Sequence, residues 1–512
     1  MLAKLTTYTL VGIEAHRVEV EVDVSQGMSN QVTLVGLPEA AVRESLHRVE
    51  RAMVNSGYRA PEDRVVINLA PADLPKQAAT FDLPISLGLL LASGQLQADD
   101  LSSLVFVGEL SLEGRLRPAR GILSMAMQAA EESASSQILV PAANADEAAV
   151  VESIQAIPIH SLVEAAGFLT GGLEVAPRPS QLDRWYETFG YEALDFEDVR
   201  GQEMAKRALT IASAGAHNLL MVGPPGSGKT MLAKRVRTIL PQLQPEESIE
   251  TTRIYSALGR LQSGQPLMVQ RPFRAPHHTI SDVGLVGGGR VPTPGEISMA
   301  HNGVLFLDEL PEFNRRTLEV LRQPLEEGHV TISRSLRTSK MPADFILIAA
   351  LNPCPCGYRS DSRRECHCSV PQIERYMNKI SGPLLDRIDL HIEVPAVNVE
   401  ELGQYRPGAK SAELRKTVEH ARSRQWDRFR RSAIRFNAQM SSRDLRRYCE
   451  LNQESRKLLT TTVDRFGLSA RAHDKVLRVA RTIADISHED SITSEHLREA
   501  IQYRMLDRQL WS

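Results

Sequence analysis

Long apolar runs are missing from this sequence. None approaches the ~18 apolar residues that a membrane-crossing helix needs, so no span is expected. The opening residues, Met1-Leu2-Ala3-Lys4-Leu5-Thr6-Thr7, lack an apolar core followed by a small-residue cleavage site, so no secretion signal is expected. Cysteine is scarce. There are five, four of them between positions 354 and 368, which argues against a disulfide framework and makes the cytoplasm the expected compartment. Repeats and low-complexity tracts are absent. Lysine and arginine are missing between Arg120 and Arg178.

That last gap is part of a wider asymmetry. The net charge is only −3. Yet residues 1–170 carry about −10 and residues 401–512 about +8. A polyanion would therefore meet the middle and rear of the chain, unless these are simply two solvated surfaces of opposite sign. Hydrophobic content of 42% and charged content of 24% are ordinary for a globular protein, and 512 residues suggest roughly two to four domains.

Residues 1–170 read as a mixed α/β domain. Val18 to Val24 alternates as a half-buried strand, and Val65 to Leu69 is another strand. Pro38 opens a helix that Gly57 ends, and Leu83 to Leu91 is an almost wholly apolar helix. Residues 171–194 read as a linker, with Pro177 and Pro179 among polar residues. A second α/β domain spans 195–398, and a helical region spans 399–512.

The second domain carries the chemistry. Gly223-Pro224-Pro225-Gly226-Ser227-Gly228-Lys229-Thr230 follows the apolar run Leu219 to Val222. That is a phosphate-binding loop between a buried strand and a helix. Its backbone N–H groups would curl around phosphate oxygens, Lys229 would reach the β- and γ-phosphates, and the Thr230 hydroxyl would hold Mg²⁺. A second buried strand, Val304 to Leu307, ends in Asp308 and Glu309. Asp308 suits the metal, and Glu309 suits activation of a water. The strand Phe345 to Leu351 ends at Asn352, which either orients the attacking water or caps a turn before Pro353. Together these motifs predict hydrolysis of a nucleoside triphosphate.

This ordered set resembles the AAA+ ATPases, with Asp195 to Gln202 similar to their nucleotide-base-side box. The resemblance implies sensor 1 for Asn352, an arginine finger for Arg387 and sensor 2 for Arg471. Left open beside these are a surface ion pair of Arg387 with Asp386 or Asp389, and a plain helix arginine at 471. The run Phe273 to Ser281, with Gly287-Gly288-Gly289 and Pro294 to Ser298, is narrower. Over nearly the whole chain it resembles the magnesium-chelatase-like ComM/YifB family. That resemblance implies an ATP- and Mg²⁺-dependent homohexameric DNA helicase. Such a motor drives branch migration during homologous recombination in natural transformation, beside recombinase machinery and without a membrane. A magnesium or cobalt chelatase motor and a protein remodeller remain alternatives, although no D-x-S-x-S metal-adhesion motif occurs.

Gly328 to Thr338 reads as a β-hairpin turning near Arg334 and Ser335. In related rings such hairpins point into the pore, where Arg334 and Arg337 would hold phosphates without regard to sequence. The loop from Phe273 to Arg290, with Arg274, is a second DNA candidate. Cys354, Cys356, Cys366 and Cys368 form C-x-C-x₉-C-x-C, a donor set suited to structural Zn²⁺. Arg359, Arg363 and Arg364 lie between the two cysteine pairs and could be aimed at DNA. Cys449 is expected simply to pack in a helix. Finally, Pro75 to Asp82 and Gly108 to Ile122 resemble the Lon protease fold, of the ribosomal S5 type. Thr80 stands at the serine position and Leu123 at the lysine position, with Lys76 left as a distant alternative base, so no peptidase activity is expected. The expected architecture is a Lon-like α/β domain, an AAA+ core and a helical lid.

Overall fold

Alternation over Glu14–Ser25 makes a strand whose even-numbered valines face a core. The computed structural model describes every residue except 26–31, 38–39, 77–78, 133–136, 189–193, 263, 290–291, 334–337, 360, 362–363, 397–407, 468 and 506–512. In the first domain the strands are β1 (Leu2–Val11), β2 (Glu14–Ser25), β3 (Val32–Val35), β4 (Arg64–Ala70), β5 (Leu104–Phe106), β6 (Gln137–Pro141) and β7 (Gln155–Ile159). They form one sheet in the order β3-β4-β2-β1-β5-β6-β7. The β1–β2 and β2–β4 pairs are antiparallel, and the other pairs are parallel. Helix α1 (Ala40–Asn55) is amphipathic, whereas every residue of α2 (Asp82–Ala92) is buried. A helix apolar on all sides must be covered on all sides. Asp82 at its start is fully buried, and Arg48 donates to both its carboxylate oxygens at 2.8 and 3.1 Å. Burial pushes the Asp82 carboxyl up to about 6 against the pull of Arg48.

The second domain holds a five-stranded sheet. Its strands are β8 (Leu219–Val222), β9 (Phe273–Arg274), β10 (Val304–Leu307), β13 (Ile346–Leu351) and β14 (Leu390–Glu393), in the order β9-β10-β13-β8-β14, with every pair parallel. β8, β10 and β13 are buried and apolar throughout, as a parallel sheet covered on both faces requires. Leu219, Met221, Phe306 and Ile348 face helices α6 (Glu203–Gly215) and α7 (Lys229–Ile239) and the C-terminal helices. Leu220, Val222, Leu307 and Ala349 face the opposite core, which includes Ile254, Leu310 and Tyr376. Between β10 and β13 lies an antiparallel hairpin, β11 (His329–Ser333) and β12 (Thr338–Pro342).

The N-terminal domain is docked on this core. Ile13, at the β1–β2 turn, shares an apolar cluster with Val330, Ile332 and Met341 at the hairpin. Gly12 has φ +69°, and a Cβ there would come within 2.8 Å of Met341 Cε. Helix α3 (Ile122–Glu132) packs on α8 (Pro245–Ala257). Buried Glu147 accepts from Leu123 N–H at 3.0 Å and from the Ser256 hydroxyl, which joins the two domains.

The expected linker contains structure. Helix α5 (Leu182–Thr188), which follows α4 (Leu162–Leu169), packs Leu182, Trp185 and Tyr186 beside Leu267 and Val269. Tyr186 also shares a hydrogen bond with Ser248 at 2.7 Å. The C-terminal helices include α10 (Ser411–Phe429), which lies against α6 and α7, and α13 (Ala470–Ile486). Between them α11 (Ser442–Tyr448) and α12 (Gln453–Phe466) complete the layer, and α14 (Ser494–Gln502) follows. Asp485 is fully buried there. Its charge is met by Arg428 and by Arg481 at 3.2 Å, as a buried carboxylate requires.

Candidate active site

Three of the core strands end at one edge of the sheet, and each delivers a motif residue there: Val222 leads to Gly223, Leu307 to Asp308, and Leu351 to Asn352. Gly226 (φ +77°) and Gly228 (φ +92°) turn the chain where a side chain would strain it. A Cβ on Gly223 would lie 2.1 Å from the Val394 carbonyl. Lys229 is folded into the loop. Its Nζ donates to the carbonyls of Gly223 (2.7 Å) and Pro224 (2.9 Å) and to Asn352 Oδ1 (3.2 Å). Burial pulls its ammonium down to about 8, while Asp308 and Glu309 act the other way.

The Thr230 hydroxyl donates to Asp308 Oδ2 at 2.6 Å. This hydroxyl and carboxylate are hard oxygen donors side by side, and they fit two neighbouring positions of a Mg²⁺ shell with ligands at about 2.0–2.1 Å. Glu309 stands beside them in the left-handed region (φ +52°), an uncommon conformation for a residue other than glycine and one found at functional sites. Its side chain is half exposed, and Oε2 lies 3.6 Å from Nδ1 of His278. That proximity was not legible in the sequence, where 31 positions separate the two. Gln202 is a further residue of this edge. Its side-chain amide donates to the Pro395 carbonyl at 2.7 Å and reaches the Ser227 carbonyl at 3.4 Å, which ties the expected base-side box to the loop.

Arg387 and Arg471 are elsewhere. Both line a cleft of about 630 Å³ together with Asn218, Asp344 and Asp389. Those three residues precede β8, β13 and β14, so the cleft lies at the amino ends of the strands. The six residues of β13, at about 3.3 Å each, put about 20 Å between that cleft and Asn352. Arg387 pairs with Glu326, not with Asp386 or Asp389, and also donates to the Pro383 carbonyl. Asp389 is already engaged by Lys475 at 3.2 Å and by the Asn218 N–H at 3.2 Å. Burial opposes its ionisation, but Lys475 and His217 hold its carboxyl well below the usual carboxylate range. Within one chain, neither arginine is brought to the phosphate loop.

The four clustered thiols converge. Cys354 Sγ lies 3.3 Å from Cys356 and 3.6 Å from Cys366, and Cys356 lies 3.6 Å from Cys366. All four donor atoms, Cys368 included, fall within 4.8 Å of one another. A tetrahedral Zn²⁺ with bonds of about 2.3 Å would space its sulfurs by about 3.8 Å, so the set fits and could hold a metal. Cys449 is buried in the C-terminal helices, apart from the cluster.

Of the residues expected to meet DNA, Arg334, Arg337 and Arg363 lie outside the described residues, as does Arg290. Arg274 departs from that expectation. Its guanidinium makes a two-point ion pair with Glu296 at 2.6 and 2.8 Å, so its charge is spent inside the fold. Arg364 is exposed, and its guanidinium donates to the Tyr358 hydroxyl at 2.8 Å; Arg359 is exposed nearby. In the first domain Thr80 and Leu123 are both buried. Lys76 is buried too, with its ammonium on the Pro71 carbonyl.

Three family models cover most of the chain: subunit ChlI of Mg-chelatase over residues 20–144, magnesium chelatase subunit ChlI over 195–402, and its C-terminal part over 408–504. The uncharacterized protein YifB of Escherichia coli K12 is 44% identical over 510 residues, covering 99% of this chain and 98% of that protein. The competence protein ComM of Haemophilus influenzae is 43% identical over 514 residues, with 99% and 98% covered. The magnesium-chelatase 67 kDa subunit of Chlorobaculum parvum is 28% identical over 162 residues, 31% of this chain and 23% of that protein. No helix among the described residues is long and apolar enough to cross a membrane. A phosphate-loop core with a parallel sheet, a helical C-terminal region, and likeness from end to end to ComM and YifB together mean that the chain belongs to the magnesium-chelatase-like ComM/YifB family.

Proposed function

We propose that this protein is an AAA+ ATPase that works as a cytoplasmic homohexameric ring on DNA, driving branch migration as incoming DNA recombines during natural transformation. The observation that carries the reading is the separation of the two halves of the catalytic set. Lys229, Thr230, Asp308, Glu309 and Asn352 gather at one edge of the sheet, and Arg387 and Arg471 at the other. A single chain cannot close that gap of about 20 Å, but a neighbouring chain in a ring can present its arginines to the phosphates. Thr230 and Asp308 would hold Mg²⁺, which neutralises charge on the triphosphate. Lys229 would exchange its loop carbonyls for phosphate oxygens, Glu309 would take a proton from the attacking water, and Asn352 would orient that water. The four cysteines would hold a structural Zn²⁺, since a set of four thiolates leaves no position for water. The hairpin β11–β12 would carry Arg334 and Arg337 into the pore.

The chelatase motor is the second reading, and the magnesium-chelatase models support it. Against it, the 67 kDa chelatase subunit of Chlorobaculum parvum matches over 31% of this chain at 28% identity, whereas ComM of Haemophilus influenzae matches over 99% at 43%. DNA-stimulated ATPase activity favours the first reading; stimulation by a tetrapyrrole-binding partner favours the second. On a synthetic forked junction, wild type with ATP is expected to displace the branch and Lys229→Ala is expected to leave it in place. Junctions that both proteins leave intact would refute the DNA motor.

The position of Lys229 also predicts a pH dependence. In the free loop its ammonium is held down to about 8, and bound phosphate would raise it again. ATP binding below that pH needs no proton, and above it takes one up. The dissociation constant is therefore expected to be flat below pH 8 and to rise about tenfold per unit above it. Calorimetry in buffers of different ionisation enthalpy would report the proton taken up, and Lys229→Arg should abolish the slope.

A further inference from the structure

The cysteine cluster is joined to the nucleotide edge at two points. Asn352, the last residue before the cysteine loop, accepts from Lys229 at 3.2 Å, and only Pro353 separates it from Cys354. Cys354 is fully buried, while the other three thiols are half-buried, so the cluster is rooted at this end. Three residues further on, Gly357 has φ +86°, and its N–H closes a turn on the Cys354 carbonyl at 3.0 Å. A Cβ at Gly357 would lie 2.5 Å from Cδ and 2.7 Å from Cγ of Pro225, so the backbone of the cysteine loop rests flat on the phosphate loop. Beyond Cys368, Ser369 caps α9 (Val370–Met377). Tyr376 on that helix is buried in the core on the same face of the sheet as Leu307 and Ala349. The cysteine loop thus starts directly after Asn352, and its first turn rests on Pro225.

We propose that Zn²⁺ at Cys354, Cys356, Cys366 and Cys368 is a clamp on the ATP site: by fixing the loop it holds Asn352 and Pro225 in the positions that turnover needs. This rests on the readings of the cluster as a zinc site and of the phosphate loop as an ATP site. The four cysteines and Gly357 are positioning residues that act through Asn352 and Pro225. Closing a loop that is otherwise free removes its alternative conformations, and a metal bound only by the folded arrangement stabilises that arrangement. Without the ion, the stretch between Cys356 and Cys366 would keep local contacts, Arg364 on the Tyr358 hydroxyl and the Asp361 N–H on the Tyr358 carbonyl, but would lose the bonds that tie its two ends together. Asn352 would then adjoin a loop whose two ends are no longer held together. Turnover depends on the placement of a water, so it should suffer more than nucleotide binding does.

The experiment uses the full-length protein with DNA and excess Mg²⁺, so that the metal of the nucleotide is never limiting. Zinc per chain, the affinity for a fluorescent ATP analogue and steady-state turnover are measured on wild type, on wild type stripped of zinc with a thiol-reactive mercurial, and on Gly357→Ala. Gly357→Ala keeps all four thiols but cannot lie flat on Pro225. Stripping is expected to lower turnover about ten- to a hundredfold, by more than it lowers affinity, and added Zn²⁺ is expected to restore it. Gly357→Ala is expected to keep its zinc and show a loss of similar size. If stripped protein or zinc-replete Gly357→Ala turns ATP over at the wild-type rate, the clamp is overturned and the zinc reading stands. If wild type carries no metal, the zinc reading falls and takes the clamp with it.

Discussion

Replacing Arg387 with alanine is expected to lower ATP turnover about 10³-fold or more, the effect of removing an arginine finger, while ATP binding persists. The expectation follows from position. Arg387 lies at the amino ends of the strands, in the cleft with Arg471 and Asp389, and cannot reach the phosphate loop of its own chain. Its present partner, Glu326, would release it to a γ-phosphate from the adjacent subunit. Mixing gives the sharper test. Arg387→Ala has an intact phosphate loop, and Lys229→Ala has an intact arginine. Each is expected to be inactive alone, yet a mixed ring would contain some interfaces with both parts sound. Recovery of turnover on mixing would confirm that sites are shared. An Arg387→Ala protein as active as wild type would remove the assignment, and the pair with Glu326 would then be only structural.

Glu309→Gln should keep ATP and lose its hydrolysis, with turnover down about 10²- to 10⁴-fold, the contribution usual for a general base. Asp308, already hydrogen-bonded to Thr230 at 2.6 Å, stays to hold the metal, so binding survives. The substitution is nearly isosteric and Glu309 is half exposed, so the fold should not change. Equilibrium binding of a fluorescent analogue beside a phosphate-release assay separates the two quantities. Equal losses in both would mean that Glu309 helps to bind the nucleotide and does not act as the base.

Much of this site was legible because it is local. The phosphate loop, Asp308-Glu309 and Asn352 each stand at the end of a short apolar run, and a buried parallel strand needs little more than such a run. The hairpin was legible for the same reason, through alternation and a turn. What escaped was set by contacts between distant residues. Arg274 sits in a basic, glycine-rich stretch, yet its partner Glu296 lies 22 positions on and consumes its charge. The Leu182–Thr188 helix was hidden in a linker because it owes its place to Ser248, Leu267 and Val269. Arg387 showed two acidic neighbours in sequence, and the fold paired it with neither. The contact between Gly357 and Pro225 has no trace in the spacing of the cysteines, since it depends on where two loops cross.

The placement of these groups also restricts how copies of the chain can associate. Under the proposed function, with the phosphate loop on one edge and the arginines on the other, a productive contact would be head-to-tail. A dimer about a twofold axis would face phosphate loop to phosphate loop, or arginine to arginine, and complete no site. Heterologous contacts of this kind either close after a whole number of copies or continue as a helical filament. The rotation between neighbours, more than any single residue, therefore decides whether every site in the assembly is finished or one is left open at each end.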